Sequence, residues 1–323
     1  MKLSVVIVSH DSAHCIAECL RAVRRVLHDC EVIVVDNRSV DATVTTTTTI
    51  DPRTRIVQMD DNVGFARACN AGVRVASHDH VLLMNPDVVL LHVSRRDLEL
   101  ALSQRRLGLL AGELIGTRAS AARAHLFPNR SWMSELLYTA LGPFEPRELS
   151  ARHRVSRVDV PAWACAAAVL IRRSEFLPLG GFDERFFLYY EDQELGARYR
   201  DAQLPIGGTD AIRAAHRNGT SSPTASAQLA DRRAWCLLSW LELVALNHGA
   251  TRARISWVVV RWTHRVGRVL SASLARGSQD GRMRRKAEQI TSLEHAIREV
   301  ARAAEDSPHG FCPVACRVVT GVA

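Results

Sequence analysis

Residues 80–92 read HVLLMNPDVVLLH. An apolar run, Val81 to Met84, stops at Asn85-Pro86-Asp87 and resumes at Val88. Four large apolar residues bounded by polar signals fit a strand buried on both faces. Pro86 has no N–H for a sheet ladder, and Asp87 is costly to bury unpaired. The ladder therefore ends at this step, and the step meets something charged. Such a site belongs to the carboxyl edge of an α/β sheet, where ligands bind.

The chain upstream supports this placement. Leu3 to Val8 reads as a strand ending in Ser9-His10-Asp11-Ser12. A helix from Ala13 to Leu27 follows, with Ile16, Leu20, Val23 and Leu27 on one face. A second strand, Glu31 to Val35, ends in Asp36-Asn37-Arg38-Ser39, and a third, Ile56 to Met59, leads to Asn62-Val63-Gly64-Phe65 and a helix through Ala66 to Ala76. Between the second and third strands the alternation asks for a helix, yet six of the seven residues Thr43–Thr49 are threonine, a poor helix former. The β-α-β-α-β-α-β order predicts a mainly parallel sheet covered by helices, with Ser9, Asp36, Asn62 and Asp87 gathered at strand ends. No G-x-G-x-x-G follows the first strand and no G-x-x-x-x-G-K-[ST] occurs, which argues against nicotinamide dehydrogenases and P-loop NTPases. A nucleotide here would be held by side chains and a metal.

The 323 residues are 47% hydrophobic and 24% charged, a globular composition, and no apolar run reaches transmembrane length. The N-terminus reads as a strand rather than a signal peptide, so the expected location is the cytoplasm. The formal charge of +8 is concentrated: Thr251 to Lys286 holds nine Arg and one Lys against one acid, Asp280. Apolar residues including Trp257, Trp262, Val266 and Leu270 interleave with that charge, which reads as a membrane-surface element rather than a nucleic-acid one. A solvated helix docked on the domain is the other reading. Eight scattered cysteines without a C-x-x-C are expected to be reduced. Cys15 and Cys19 with His10 and His14 could suggest a metal site, but buried cysteines acting as small hydrophobes explain them more simply.

Downstream, the middle of the chain from Leu107 to Val158 is less regular, with a short helix expected in PNRSWMSELLYTALGPF, and Asp159 to Arg173 reads as buried. GGFDERFFLYYEDQELGARYRDA, from Gly180, is the densest constellation. Glu191 and Asp192 open a helix after an aromatic wall. Carboxylates in a first turn are favoured by the helix dipole alone; equally, Asp192 beside an aromatic wall has a basicity that can be tuned for proton abstraction. Glu194 is expected on the exposed face. His216 ends a strand-like segment and is a metal or phosphate ligand candidate.

Taken in order, VVIVSHDSAHCIAECL, EVIVVDNRSVDAT, NVGFARACNAGV, HVLLMNPDVV, GGFDERFFLYYEDQELGAR and HRNGTS resemble a family-2 glycosyltransferase of the GT-A fold, over about 220 residues. LNPDV-like and GGFDE-like motifs with a helical C-terminus resemble its bacterial rhamnosyltransferase branch. The resemblance implies a GT-A, Rossmann-like nucleotide-sugar-binding domain over 1–226, a basic helical extension over 227–306 and a loose tail over 307–323. It implies that Asp36 reads the donor base with Ser9 and His10 alongside, and that Asn62, Gly64, Phe65, Asn70 and Asn85 shape the donor pocket. Asp87 and His216 would hold Mg2+ or Mn2+, Asp192 would be the general base, and Trp163, Tyr190 and Glu191 would lie on the acceptor side. The implied activity is inverting transfer from a nucleoside-diphosphate sugar, best dTDP-L-rhamnose, to a lipid-linked or polysaccharide acceptor at the inner membrane face. A UDP-sugar donor (galactofuranose or N-acetylhexosamine) and a non-catalytic sugar-nucleotide-binding scaffold are the alternatives. The sequence departs from the pattern at Asn85 in place of the first acid of D-x-D, at His10-Asp11 after the first strand, and at Ala166 where Gly is common.

Overall fold

The computed structural model describes residues 1–104, 108–116, 123–124, 126–127, 131–141, 163–216, 226–277 and 282–321. The expected buried stretch 159–162 and the glycine and hydroxyl residues after His216 lie outside them. The chain forms two compact units: one of residues 1–129, 148–184 and 191–223, the other of 130–147, 185–190 and 224–323.

The first unit begins with β1 (Leu3–Ser9), α1 (Ile16–Val26), β2 (Glu31–Asp36), α2 (Thr43–Ile50), β3 (Arg55–Gln58), α3 (Gly64–Val75) and β4 (His80–Met84). Next come β5 (Val88–Val93), α4 (Arg95–Gln104), β6 (Leu109–Gly116) and the short β7 (Arg123–Ala124) and β8 (Leu126–Phe127). The second unit then contributes α5 (Trp132–Leu141). The first unit is completed by β9 (Trp163–Ala164), β10 (Ala168–Arg172), α6 (Arg173–Phe176), α7 (Glu191–Asp201) and β11 (Ile206–His216). Its main sheet has the order β3-β2-β1-β4-β10-β6-β11-β5, with β7 beside β6. The four strands expected from sequence, β1 to β4, pair in parallel, and β10 then enters antiparallel between β4 and β6.

β1 shows why the sheet is buried on both faces. Leu3, Val5 and Ile7 pack with α1 residues Ile16, Leu20 and Val23, while Val6 and Val8 pack with α3 residues Ala66, Cys69 and Val73. A strand alternates its side chains between faces, so only a continuous apolar run can fill two helical layers. Helix α3 comes so close that a Cβ on Gly72 would lie 2.4 Å from Val6 Cγ1 and 2.9 Å from Val35 Cγ2.

The threonine segment does form the helix that the alternation requires. Thr47, Thr48 and Thr49 turn their hydroxyls back onto the carbonyls of Thr43, Val44 and Thr45 at 2.9, 3.2 and 2.8 Å. Asp41 accepts the Thr43 N–H at 2.9 Å at the start, and Thr43 and Thr47 are buried. Threonine's cost in a helix is its competing hydroxyl, and here that hydroxyl finds a partner inside the helix.

The second unit adds α8 (Ser226–His248), α9 (Ala250–Gly277), α10 (Arg282–Glu305) and α11 (Pro313–Thr320) to α5. Gly249, at φ 89°, breaks α8 from α9 in a conformation few other residues adopt. Trp240, Leu241, Ile297 and Ala301 form the centre of its core. The expected loose tail is corrected here. Phe311, Cys312, Ala315 and Cys316 are buried in that core, and buried Glu242 accepts the Val314 and Ala315 N–H groups at 2.9 and 2.8 Å. That carboxylate caps the first turn of α11, so Pro308, Gly310 and Pro313 shape a turn into a docked helix. All eight cysteines are free thiols. Among the described residues, no helix is long and apolar enough to cross a membrane.

Gly72→Val is expected to destabilise the protein by about 1–3 kcal/mol, because the added atoms overlap Val6 and Val35 in a filled layer. Chemical denaturation monitored by far-UV circular dichroism reads this as a lowered midpoint.

Candidate functional site

The carboxyl ends of β1 and β2 are locked together. Ser9 and Asp36 are register partners, Asn37 N–H donates to Ser9 O at 2.8 Å, and His10 Nδ1 lies 2.9 Å from Asn37 O. Asp36 is buried; its Oδ2 accepts the Ser39 N–H at 3.3 Å, but Oδ1 has no partner among the described residues. A buried carboxylate oxygen left this way calls for a donor from elsewhere. Ser9 differs: it has no exposed surface, and its hydroxyl donates to Val35 O at 3.4 Å.

Asn37, which the sequence reading passed over, organises the neighbouring loop. Its Nδ2 donates to Asn62 Oδ1 at 2.8 Å and to Gly64 O at 3.2 Å, and its Oδ1 accepts the Val63 N–H at 2.9 Å. Gly64 stands at φ 78°, where the chain turns into α3, and half-buried Phe65 lies 6.1 Å from the Phe182 ring. An asparagine in a polar step after a strand was the only signal for Asn37, and it does not separate a hub from an ordinary turn residue.

Asn70 commits its amide to internal hydrogen bonds. It is fully buried, donates to Phe182 O at 2.9 Å and Glu184 Oε1 at 3.0 Å, and accepts the Phe182 N–H at 2.9 Å. With both amide ends committed, Asn70 clamps the 181–184 turn to α3. The clamp requires glycine at 181, where φ is 70° and a Cβ would lie 2.4 Å from Asn70 Oδ1. Partial burial works to raise the Glu184 carboxyl, yet Asn70, Arg74 and Arg67 hold it below the usual carboxylate range.

The clamped turn leads to α7, which opens with Glu191 and Asp192. Burial pushes the Asp192 carboxyl up to about 6, against hydrogen bonds from the Ala166 and Gln193 N–H groups that favour its charged form. Burial, and then Asp192, raise the Glu191 carboxyl well above the usual carboxylate range. The thiol of Cys165 is pushed up to about 12, first by burial and then by the charge of Asp192, Glu191 and Asp87. One thiol thus lies within electrostatic reach of three carboxylates that come from two distant parts of the sequence. Glu194 pairs with Arg198 along α7 rather than facing the site.

Asp87 is 2% exposed, and neither carboxylate oxygen has a hydrogen-bond partner among the described residues. His216 Nε2 comes within 3.3 Å of Oδ1 without hydrogen-bond alignment, and His216 Nδ1 is itself buried and unpartnered. This donor set fits a divalent cation: hard oxygen and imidazole ligands, desolvated and unsatisfied. Two side chains do not close a coordination shell, and among the described residues no cluster of three or more acidic, histidine or cysteine side chains is arranged for a metal. The Asn85 backbone spans the step, donating to Ala167 O at 3.0 Å and accepting the Val88 N–H at 3.2 Å.

Trp163 stacks on Phe127 at 4.2 Å. Tyr190 belongs to the second unit, where it packs on the helical core. Tyr189 and Tyr190 have φ of 72° and 68°, two successive left-handed residues directly before Glu191. Such conformations in bulky residues are strained and concentrate at functional sites.

A mixed sheet whose strand ends present buried carboxylates, flanked by helices and followed by C-terminal helices, defines a GT-A glycosyltransferase fold. Residues 4–95 match the model of glycosyl transferase family 2. It is 28% identical over 187 residues to N-acetylglucosaminyl-diphospho-decaprenol L-rhamnosyltransferase from Mycobacterium tuberculosis strain H37Rv, and equally to that of strain CDC 1551. The match covers 52% of this chain and 60% of each relative, so the chain spans about 60% of the length of the curated relatives it matches. In fold it is similar to a mannosyltransferase, PcManGT from Pyrobaculum calidifontis, with a TM-score of 0.53 at 16% identity over 95% of this chain and 88% of that one.

Because the fold raises the Asp192 pKa above its unfolded value, it favours the protonated acid. The resulting stabilisation is present below about pH 4 and is lost as pH rises through about 6. Asp192→Asn, which cannot ionise, is therefore expected to be more stable than the parent at pH 7.5, by up to about 3 kcal/mol, and to lose that advantage near pH 4. Urea midpoints at the two pH values measure it.

Proposed function

We propose that this protein transfers a sugar with inversion from a nucleoside diphosphate to an acceptor hydroxyl. The observation that carries the reading is the buried, unsatisfied Asp87 carboxylate beside His216 at the end of the sheet. A charged group kept desolvated without a donor is retained for a ligand that completes it. Asp87 and His216 would hold Mg2+ or Mn2+, which when bound supplies neutralisation of the charge developing on the leaving diphosphate.

The remaining roles belong to the chain itself. Asp36 Oδ1 accepts an N–H from the donor base, and His10 stands beside it on Asn37. Asn37 and Asn62 hold the Gly64 turn that shapes the pocket, and Asn70 fixes the 181–184 turn leading to α7. Asp192 takes the proton of the acceptor hydroxyl as the new glycosidic bond forms and the nucleoside diphosphate leaves. Its pKa near 6 leaves it ionised at neutral pH yet more basic than an ordinary aspartate. Glu191 and Trp163 are proposed to flank the acceptor.

The rhamnosyltransferase named above supports dTDP-L-rhamnose as donor and a lipid-linked glycan as acceptor. Helix α9 supports a peripheral membrane position. Ile255, Val258, Trp262, Val269, Leu270 and Leu274 are all exposed on it and recur at helical spacing. A long basic helix with such a stripe lies in a lipid interface rather than crossing it.

Asp192→Asn is expected to lower turnover by about 10²-fold or more with donor binding kept, and parental activity should rise with pH through about 6. Near-normal turnover in that variant would remove Asp192 from the role. Calorimetry with dTDP- and UDP-sugars should show dTDP-L-rhamnose binding most tightly. Metal should bind weakly to the protein alone and firmly with donor, and Asp87→Asn should abolish that difference. Tight metal binding without donor would count against the two-ligand arrangement.

A further inference from the structure

Within the second unit, α9 and α10 enclose a cleft of about 90 Å3 lined by Trp257, Arg261, His264, Arg265 and Arg268 from α9 and by Glu294, Ile297 and Arg298 from α10. The α9 positions recur at helical spacing, so the guanidinium groups share one face. Four arginines thus meet one carboxylate, and Glu294 is already bound by Arg268 at 3.2 Å. Among the described residues no carboxylate pairs with Arg261, Arg265 or Arg298. Burial pushes the His264 imidazole down to about 4, so it adds no charge at neutral pH.

A second observation points to a ligand. Trp257 lines the cleft and is 7% exposed, and its indole Nε1 is buried with no acceptor among the described residues. Arg261 sits over the same ring at 5.7 Å, which keeps its guanidinium on the cleft side of the helix. Unpaired guanidinium forks together with an orphaned N–H donor make a set that contains donors only. The chemistry that satisfies it is a compact oxyanion with several acceptor oxygens, a phosphate group above all.

The source of that phosphate follows from what adjoins the cleft. Taking 100° per residue, the exposed stripe through Val258, Trp262 and Val269 lies about a quarter of a turn around α9 from the face that lines the cleft. Arg265 falls between the two. A helix resting in a lipid interface on that stripe therefore carries its arginine face at headgroup depth. We infer that the cleft between α9 and α10 binds the phosphate headgroup of an anionic membrane lipid, with the apolar stripe of α9 seated among the acyl chains. The inference rests on the membrane-surface reading of α9 and is independent of the sugar transferred.

The test uses the full chain and vesicles of phosphatidylcholine with or without phosphatidic acid, at physiological salt. The parent should co-sediment with the phosphatidic-acid vesicles and weakly with the neutral ones. Arg261→Gln, Arg265→Gln and Arg298→Gln together should weaken that binding by about tenfold or more. Arg284→Gln, Arg285→Gln and Lys286→Gln remove the same charge from exposed positions on α10 outside the cleft, and should cost far less. Equal loss in the two triple variants would overturn the site in favour of diffuse attraction. Calorimetric binding of inorganic phosphate that the cleft variant abolishes, with vesicle binding unchanged, would make the ligand free phosphate and overturn the lipid source. A parent that ignores phosphatidic acid would overturn the membrane reading as well. Donor binding, measured calorimetrically on the same variants, should be unchanged. Absence of donor binding in the parent would instead bear on the glycosyltransferase reading alone.

Discussion

Two carboxylates buried at strand ends without full partners constrain the first unit. Asp36 ends β2 and Asp87 lies just past β4, and each keeps oxygen without a partner among the described residues. Burying such a group is unfavourable, so the surrounding packing has to hold it there. The apolar faces of β1, β2 and β4, filled on both sides by α1 and α3, provide that stability. The close approach at Gly72 and the clamp between Asn70 and Gly181 keep the edge in register with the helix that carries Asp192.

The site divides its asparagines and carboxylates by task. Asn37 and Asn70 spend their amides on backbone and neighbouring side chains, and so position loops rather than ligands. Asp36, Asp87 and Asp192 keep basicity or free oxygen. Burial moves Asp192 into a range where it is both ionised and useful as a base near neutrality, a result a solvent-exposed carboxylate in a first helical turn would not give. Two successive left-handed tyrosines directly precede it, so strain is placed next to the proposed chemistry.

Much of this was legible in the chain. The apolar strands and the polar steps after them follow from period and turn chemistry. The structure brings Asp87 to His216 and sets Asp192, Glu191 and Asp87 around Cys165. What residue type alone could not show was partners. Ser9 and Asn70 are polar residues whose side chains bond inside the fold. The tail looked loose because proline and glycine cluster there, yet Glu242, about seventy residues earlier, supplies the cap that docks α11. The threonine run looked unfit for a helix, yet its hydroxyls bond within it.

The sequence by itself determined the βα order, the two-faced burial of the first strands and which residue types stand at the carboxyl edge, because periodicity and turn residues are local properties of the chain. Only the tertiary structure decided which polar groups are left unsatisfied. That outcome depends on donors and acceptors arriving from segments far apart in sequence, as His216 does at Asp87 and Ala166 does at Asp192. The arginine cleft between α9 and α10 is of the same kind: their packing gathers four arginines against the single carboxylate of Glu294, with the Trp257 N–H unpartnered among the described residues.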